Sequence, residues 1–349
     1  MAPTGWAVYK EITIQDTNVD ANLTDFDFFI EIEGDSDIGG RAHSTGQNIR
    51  FTVSPHGDAN LLDYHRRYFN IAAGAATGRW KVRIPSTLAS GGATVHIWYD
   101  NSAAADGENV GATYEANYKG VYPMDEASGT TCTDVSGTSA NGTYSGNLAT
   151  QGSGGPGGYY QIFDGSTDYA TLANAALDIA QNYTMELFLN PDNTDRTEFA
   201  FGAYYGSFLL GKSNIASGRW YTYLKVAGTL NYFQPASPTP TSAWHQLALT
   251  YDGSNVRHYL NGTLGDTDAD TGNITDYTKD KYIGAYWSGG AASHFDGGIF
   301  ETKISDTAVK STAWIKLSYH NFIEADHEQT WGTEAGGSVA YIPKIIMIN

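Results

Sequence analysis

The stretch 244-WHQLALTYDGSNVRHYLNG-262 reads as two strands joined by a turn with almost no slack. Leu247, Leu249 and Tyr251 alternate with Gln246, Ala248 and Thr250, then Val256, His258 and Leu260 with Arg257 and Tyr259. This is the period-2 pattern of half-buried strands. Asp252-Gly253-Ser254-Asn255 supplies the reversal, and Asn261-Gly262 signals a second one. A hairpin this tight belongs to an antiparallel sheet, and the composition agrees. With 40 Gly, 24 Tyr and only 17% charged residues, short strands and tight turns are favoured over helix, so the expected class is all-β. At 349 residues and 41% hydrophobic, the chain can build real cores in two or three domains.

Charge and cysteine usage narrow the partners. A net charge of −18 with only 20 Lys and Arg argues against a nucleic-acid partner, because a phosphate backbone is held by clustered cations. The acidity reads instead as solubility through mutual repulsion. The single Cys132 excludes an intramolecular disulfide framework and a cysteine zinc site, and reads as a small core filler. Met1 to Trp6 has no basic or apolar leader pattern, and no run approaches the ~20 apolar residues of a membrane span. Neither a cleaved export signal nor membrane insertion is expected.

Strand patterns also mark a first unit, at Trp6 to Ile14, Phe26 to Ile32, Ile49 to Val53, Trp80 to Ile84 and Ala93 to Tyr99. Small polar residues from Ser102 to Gly111 read as a linker. Further strands are expected at Tyr183 to Leu189, Ser207 to Gly211, Trp220 to Val226, Lys281 to Ala285 and Gly298 to Ile304. GSGGPGG at Gly152 to Gly158 reads as a flexible surface loop. Trp314, Leu317 and Phe322 can share one face of a short helix capped by Ser311 or Thr312.

In the opening stretch, the order Trp-His, Tyr-Asp-Gly, Tyr-Leu-Asn-Gly resembles the central hairpin of laminin-G-like, concanavalin-A-type jelly-roll domains. VYPMDEASGTTCTDVSG from Val121, YYQIFDGSTDYATL from Tyr159 and Ala313 to Asn321 resemble other segments of the same domains. WAVYKEITI, LTDFDFFIEI, QNIRFTVS, RWKVRIP and ATVHIWYDN, from Trp6 to Asn101, resemble a domain of unknown function that often precedes a laminin-G-like domain in surface and phage-encoded proteins. That family's usual Tyr-Tyr-Gly-Asn ending stands here as Trp98-Tyr99-Asp100-Asn101. The resemblance implies two β-sandwiches in tandem, at 1–105 and 106–331. A glycine-rich tether and apolar docking strand, 332–349, would follow.

The fold leaves chemistry open, so the residues must decide it. Glu324-Ala325-Asp326-His327-Glu328 has the carboxylate spacing of laminarinase-type hydrolases, but His327 stands where that pattern wants an apolar residue, and the segment is expected outside any groove. No nucleophile elbow, phosphate loop or dinucleotide fingerprint occurs. Among metals, Ca²⁺ is the candidate, at the alternating carboxylates Asp266, Asp268 and Asp270 on a loop with Asp276 downstream. No motif requires a cofactor. His320, Glu324 and His327 are a second conceivable metal set.

Saccharides present apolar faces that stack on aromatic rings, so the aromatic clusters are the binding candidates. These are Tyr204 and Tyr205, Trp220 within Trp220-Tyr221-Thr222-Tyr223, and Tyr286 with Trp287. In a strand Trp220 and Thr222 face opposite to Tyr221 and Tyr223, so only half of that group can meet a ligand. The expected function is a non-enzymatic surface or virion protein of decoration, fibre or adhesin type. It would bind a glycan receptor or a protein and be held in a multicopy or homo-oligomeric assembly by its first domain or residues 339–349. A carbohydrate-active hydrolase or lyase and a ligand-free decoration protein are the alternatives.

Overall fold

The computed structural model describes residues 2–336 apart from 16, 55, 86–91, 147–149, 174–176, 178–180, 193–195, 204–206, 214–218, 236–242, 276–278, 288–290 and 307–308. Strands are the dominant regular element of the described chain. Three short α-helices interrupt it: α1, Ser36–Arg41, α2, Val110–Thr113, and α3, Thr312–Ile323. None of the described helices is long and apolar enough to cross a membrane.

The first sandwich sets two sheets face to face. In one, Val8–Ile14 lies between Ala93–Trp98 and Gln329–Trp331, with Arg50–Val53 beyond Ala93–Trp98. In the other, Ala75–Ile84 lies between Phe26–Asp35 and Tyr64–Ala72. Ile12, Phe28, Ile30, Phe51, Trp80, Val82, Val95 and Ile97 fill the space between them and are fully buried. Tyr64–Ala72 has no strand signal in the sequence, because YHRRYFNIA lacks alternation and most of its side chains stay half-exposed.

The second sandwich has two antiparallel eight-stranded sheets. The near sheet, which faces the first sandwich, runs Thr150–Gly155, Gly158–Asp164, Asp296–Asp306, Tyr183–Pro191, His245–Tyr251, Asn255–Leu260, Thr263–Ala269. Its eighth strand, Tyr118–Tyr122, also pairs with Asp296–Asp306. The far sheet runs Thr229–Phe233, Arg219–Val226, Phe208–Ser213, Glu198–Ala203, Lys281–Ile283, Tyr169–Leu172, Gly142–Ser145, Thr131–Cys132. Leu247, Leu249 and Tyr251 of the near sheet join Phe208, Trp220, Leu224 and Val226 of the far sheet in one core.

Four sequence expectations change. The first strand of the hairpin Trp244 to Gly262 is not half-buried: every residue of His245–Tyr251 is buried, whereas Asn255–Leu260 keeps half-buried positions at Asn255, Arg257 and Leu260. Its second face is covered by α3 and the first sandwich, where Ala248 and Tyr259 share a core with Trp314 and Leu317. Gln246 donates to Glu186 Oε1 and to the Ile315 carbonyl and accepts from Gly262 N. GSGGPGG is a hairpin between Thr150–Gly155 and Gly158–Asp164, not a loop. Its glycines admit rings, since a Cβ on Gly152 would lie 2.3 Å from Tyr160 and one on Gly157 would lie 2.1 Å from Phe300. The linker 102–111 is strapped to the first sandwich, with Arg66 reaching Asp106 at 2.7 Å and Glu108 at 3.2 Å. The boundary at 331 falls inside the first sheet. Gln329–Trp331 and Ala335–Gly336 both pair with Val8–Ile14, so the first sheet is completed by the far end of the chain. The docking strand 339–349 lies outside the described residues.

α3 joins the two sandwiches. Ser311 caps it by accepting from Trp314 N, and its buried face carries Trp314, Leu317, Asn321 and Phe322. The Asn321 side chain accepts from Phe29 N at 2.7 Å and donates to Phe29 O at 2.9 Å, satisfying the open edge of Phe26–Asp35 as a strand would. Asn321→Ala would orphan both buried backbone groups and is expected to cost about 2–4 kcal/mol, read as a lower midpoint in urea unfolding. An unchanged midpoint would show that the edge does not depend on this residue.

Beneath α3 lies a buried ionic network. Asp27 meets Lys303 at 2.6 Å and Lys81 at 3.1 Å, while Glu301 meets Arg67 at 2.8 Å, Lys303 at 2.9 Å and Lys81 at 3.5 Å. Arg67 also holds Asp125 at 2.7 Å. Glu301 sits at φ +40° where the pairing of Asp296–Asp306 with Tyr183–Pro191 skips a residue, a bulge that turns its carboxylate out of the ladder and into the network.

Burial alone would raise Glu301, but Lys303, Lys81 and Arg67 outweigh it and hold the group at about 2. Its stabilising effect is present above its ordinary 4.5 and is lost as pH falls toward 2. His65 acts in the same direction. Burial, with Arg67 adding to it, pushes His65 down to about 3, so the unfolded chain takes up a proton below 6.5 that the folded chain refuses. Glu198 and Glu328, raised by burial to about 7, oppose this between pH 7 and 5, so the urea midpoint should fall from pH 5 to 3. A constant midpoint over that range would contradict this.

Candidate functional site

The far sheet turns a second face outward. Arg219–Val226 alternates, with Trp220, Thr222, Leu224 and Val226 buried against the core and Tyr221 and Tyr223 half-exposed on the other side. Tyr223 stands opposite Leu209 on one neighbouring strand and Tyr232 on the other. Gly211 opposite Tyr221 carries no side chain, so Phe199 of the next strand reaches toward that ring. The rings form a continuous series. Phe199 and Tyr286 meet edge to face with centroids 5.3 Å apart, Phe199 and Tyr221 lie 6.5 Å apart, Tyr221 and Tyr223 5.6 Å, and Tyr221 and Tyr232 6.1 Å. They border an open groove of about 470 Å³, completed by Thr197, Leu209, Gln234 and Ser293. Tyr232 is 54% exposed at its lip, a large apolar ring in water. Burial, then the neighbouring Tyr232, raises the Tyr221 hydroxyl above its ordinary value, so it stays a protonated donor at neutral pH.

Two further hollows lie along the seam between the sandwiches. One, of about 400 Å³, is lined by Glu31, Glu33, Asp35, Asp326, His327 and Trp331. The other, of about 480 Å³, adds Arg79, Trp244, Phe322 and Glu324. The segment 324–328 thus does border a groove, contrary to expectation. It is a turn rather than a strand, so its alternate carboxylates do not share a face. His327 Nε2 lies 2.7 Å from Glu31 Oε2 and is committed to the seam.

The expected binding residues separate. Tyr286 lines the aromatic groove. Trp220 does not. It is 2% exposed and belongs to the core, because strand parity sends it inward. Tyr204 and Tyr205 and the side chain of Trp287 lie outside the described residues. The residues missed are Tyr221, Tyr223, Tyr232 and Phe199. The alternation at 220–223 offered the right face as readily as the wrong one.

The acidic set also differs from expectation. Asp266 and Asp268 are on an edge strand, Thr263–Ala269, not a loop. Asp270 accepts from Asn231 at 3.0 Å, and Asp268 lies 3.5 Å from His258 Nε2. These three carboxylates do not converge on one point as a Ca²⁺ cage requires, and Asp276 lies outside the described residues. Among the described residues, the side chains that do converge are His320, Glu324 and Glu328.

The groove and the central strands of both sheets lie within a recognisable span. Residues 164–315 match the family described as the concanavalin A-like lectin/glucanases superfamily. This span contains every lining residue of the aromatic groove. No curated protein matches the chain. Among solved structures, domain 4 of AbnA, a GH43 extracellular arabinanase from Geobacillus stearothermophilus in complex with arabinotriose, is similar at 18% identity and a TM-score of 0.43, over 58% of this chain and 98% of that one. The receptor-binding domain of botulinum neurotoxin C/D mosaic serotype is similar at 16% identity and a TM-score of 0.45, over 58% and 51%. The chain therefore spans about half the length of that neurotoxin domain.

Proposed function

We propose that the lectin-like half binds a saccharide in the far-sheet groove, as a recognition module of a surface or virion assembly. One observation carries the reading: Tyr221, Tyr223, Tyr232, Tyr286 and Phe199 present a connected series of rings along an open groove. Rings at this spacing offer successive platforms to the apolar faces of sugar units. Gln234, Thr197 and Ser293 place amide and hydroxyl groups among them, the few oriented polar contacts that give a mostly apolar site its selectivity. The chemistry of this lining is stacking and neutral hydrogen bonding, which suits binding better than acid–base cleavage.

The test is a glycan array probed with the full chain, with the retained oligosaccharides then analysed for cleavage. Binding without new reducing ends supports the proposal. Cleavage would move the function toward the seam carboxylates Glu31, Glu33, Glu324 and Asp326, and make the chain a hydrolase or lyase. A blank array from a folded chain would overturn the saccharide reading in favour of a ligand-free structural protein.

A further inference from the structure

We infer that His320, Glu324 and Glu328 form a binding site for a divalent transition-metal ion of the zinc class, which pins the end of α3 to the segment that closes the first sandwich. One donor atom from each residue lies within 4.8 Å of the other two, and His320 Nδ1 and Glu324 Oε1 are 2.5 Å apart one helical turn from each other. Donors bound tetrahedrally at 2.0–2.2 Å lie about 3.4 Å apart, so binding would open the His320–Glu324 pair by about 1 Å and draw Glu328 in by up to about 1.4 Å.

The independent sign is Glu328. It is 2% exposed, its Oε1 accepts from Asn18 Nδ2 at 2.7 Å, and its buried Oε2 meets no hydrogen-bond donor. A carboxylate oxygen buried without a donor is costly, and a cation beside it would remove that cost. The backbone is committed as well, since His327 and Glu328 stand at φ +51° and +58°, positions unfavourable for residues with a Cβ. That pair of turns directs His327 to Glu31 and leaves Glu328, not His327, facing His320 and Glu324.

The donor set selects the ion. One imidazole nitrogen with two carboxylates fits zinc, whereas Ca²⁺ asks for 6–8 oxygens. His320 and Glu324 keep 20% and 41% of their side chains exposed, so an ion can enter from solvent on that side while Glu328 closes the inner face. One residue beyond Glu328 the chain is already paired with Val8–Ile14, and three residues before Glu324 Asn321 holds Phe29. An ion here therefore ties α3 to both sheets of the first sandwich.

The test is calorimetric titration of the chelator-treated full chain with Zn²⁺ alone and with Ca²⁺ alone, paired with thermal unfolding. One Zn²⁺ per chain, a higher Tm with Zn²⁺ and neither effect with Ca²⁺ are expected. His320→Ala and Glu328→Gln should each weaken Zn²⁺ binding by about 100-fold while far-UV circular dichroism stays unchanged. His320 is the safer of the two because its side chain is partly exposed whereas Glu328 is buried. Zn²⁺ binding that survives both substitutions, or no binding heat up to millimolar Zn²⁺, would overturn the inference.

Discussion

Glu301→Ala is expected to destabilise the chain by about 3–5 kcal/mol in urea unfolding, more than Asn321→Ala. Six charges meet at the seam, Arg67, Lys81 and Lys303 against Asp27, Asp125 and Glu301, and all but Asp125 are essentially excluded from water. Removing Glu301 leaves three cations facing two carboxylates in a site where hydration cannot compensate. The double variant Glu301→Leu/Lys303→Met is expected to be less damaging than Glu301→Ala. It leaves Asp27 with Lys81 and Asp125 with Arg67, both balanced pairs. A single variant no worse than the double would show that the charges act independently rather than as a network.

The second large effect concerns binding. Tyr221→Ala is expected to weaken saccharide affinity about 10- to 100-fold, or about 1.4–2.7 kcal/mol, because its ring is the middle platform and touches three of the others. Tyr286→Ala removes an end platform and should cost less. Trp220→Phe, on the inward face of the same strand, should lower the unfolding midpoint without altering the affinity of the folded chain. Titration of the strongest oligosaccharide from the array into the three variants checks the order. Equal losses at Tyr221 and Trp220 would mean that the measured effect is folding, not recognition.

Much of the fold was legible because it rests on local pattern. The hairpin register, Leu247 opposite Leu260 and Tyr251 opposite Val256, follows from alternation plus one four-residue turn. Ser311 and the apolar face of α3 were readable by capping and helical spacing. What the sequence hid are the consequences of long-range contact. Nothing in WHQLALTYDG distinguishes one buried face from two, and the second face becomes buried only when α3 and the first sandwich arrive. GSGGPGG has a linker's composition, yet its glycines serve close approach to Tyr160 and Phe300, residues whose position no local window contains. The site was half legible for the same reason. Period 2 divides Trp220 to Tyr223 into two faces, but only the packed sandwich says which one is the core. Glu328 could not be told from His327 as the third member of its cluster, because two left-handed residues reverse the direction that helical spacing would give.

The most direct test of the central claim is a crystal structure of the chain with the strongest array oligosaccharide bound. The expected result is a sugar ring stacked on Tyr221, Tyr223 or Tyr286 along the outer face of the far sheet. A saccharide seated instead in the seam, between Trp244 and Glu31, would contradict it.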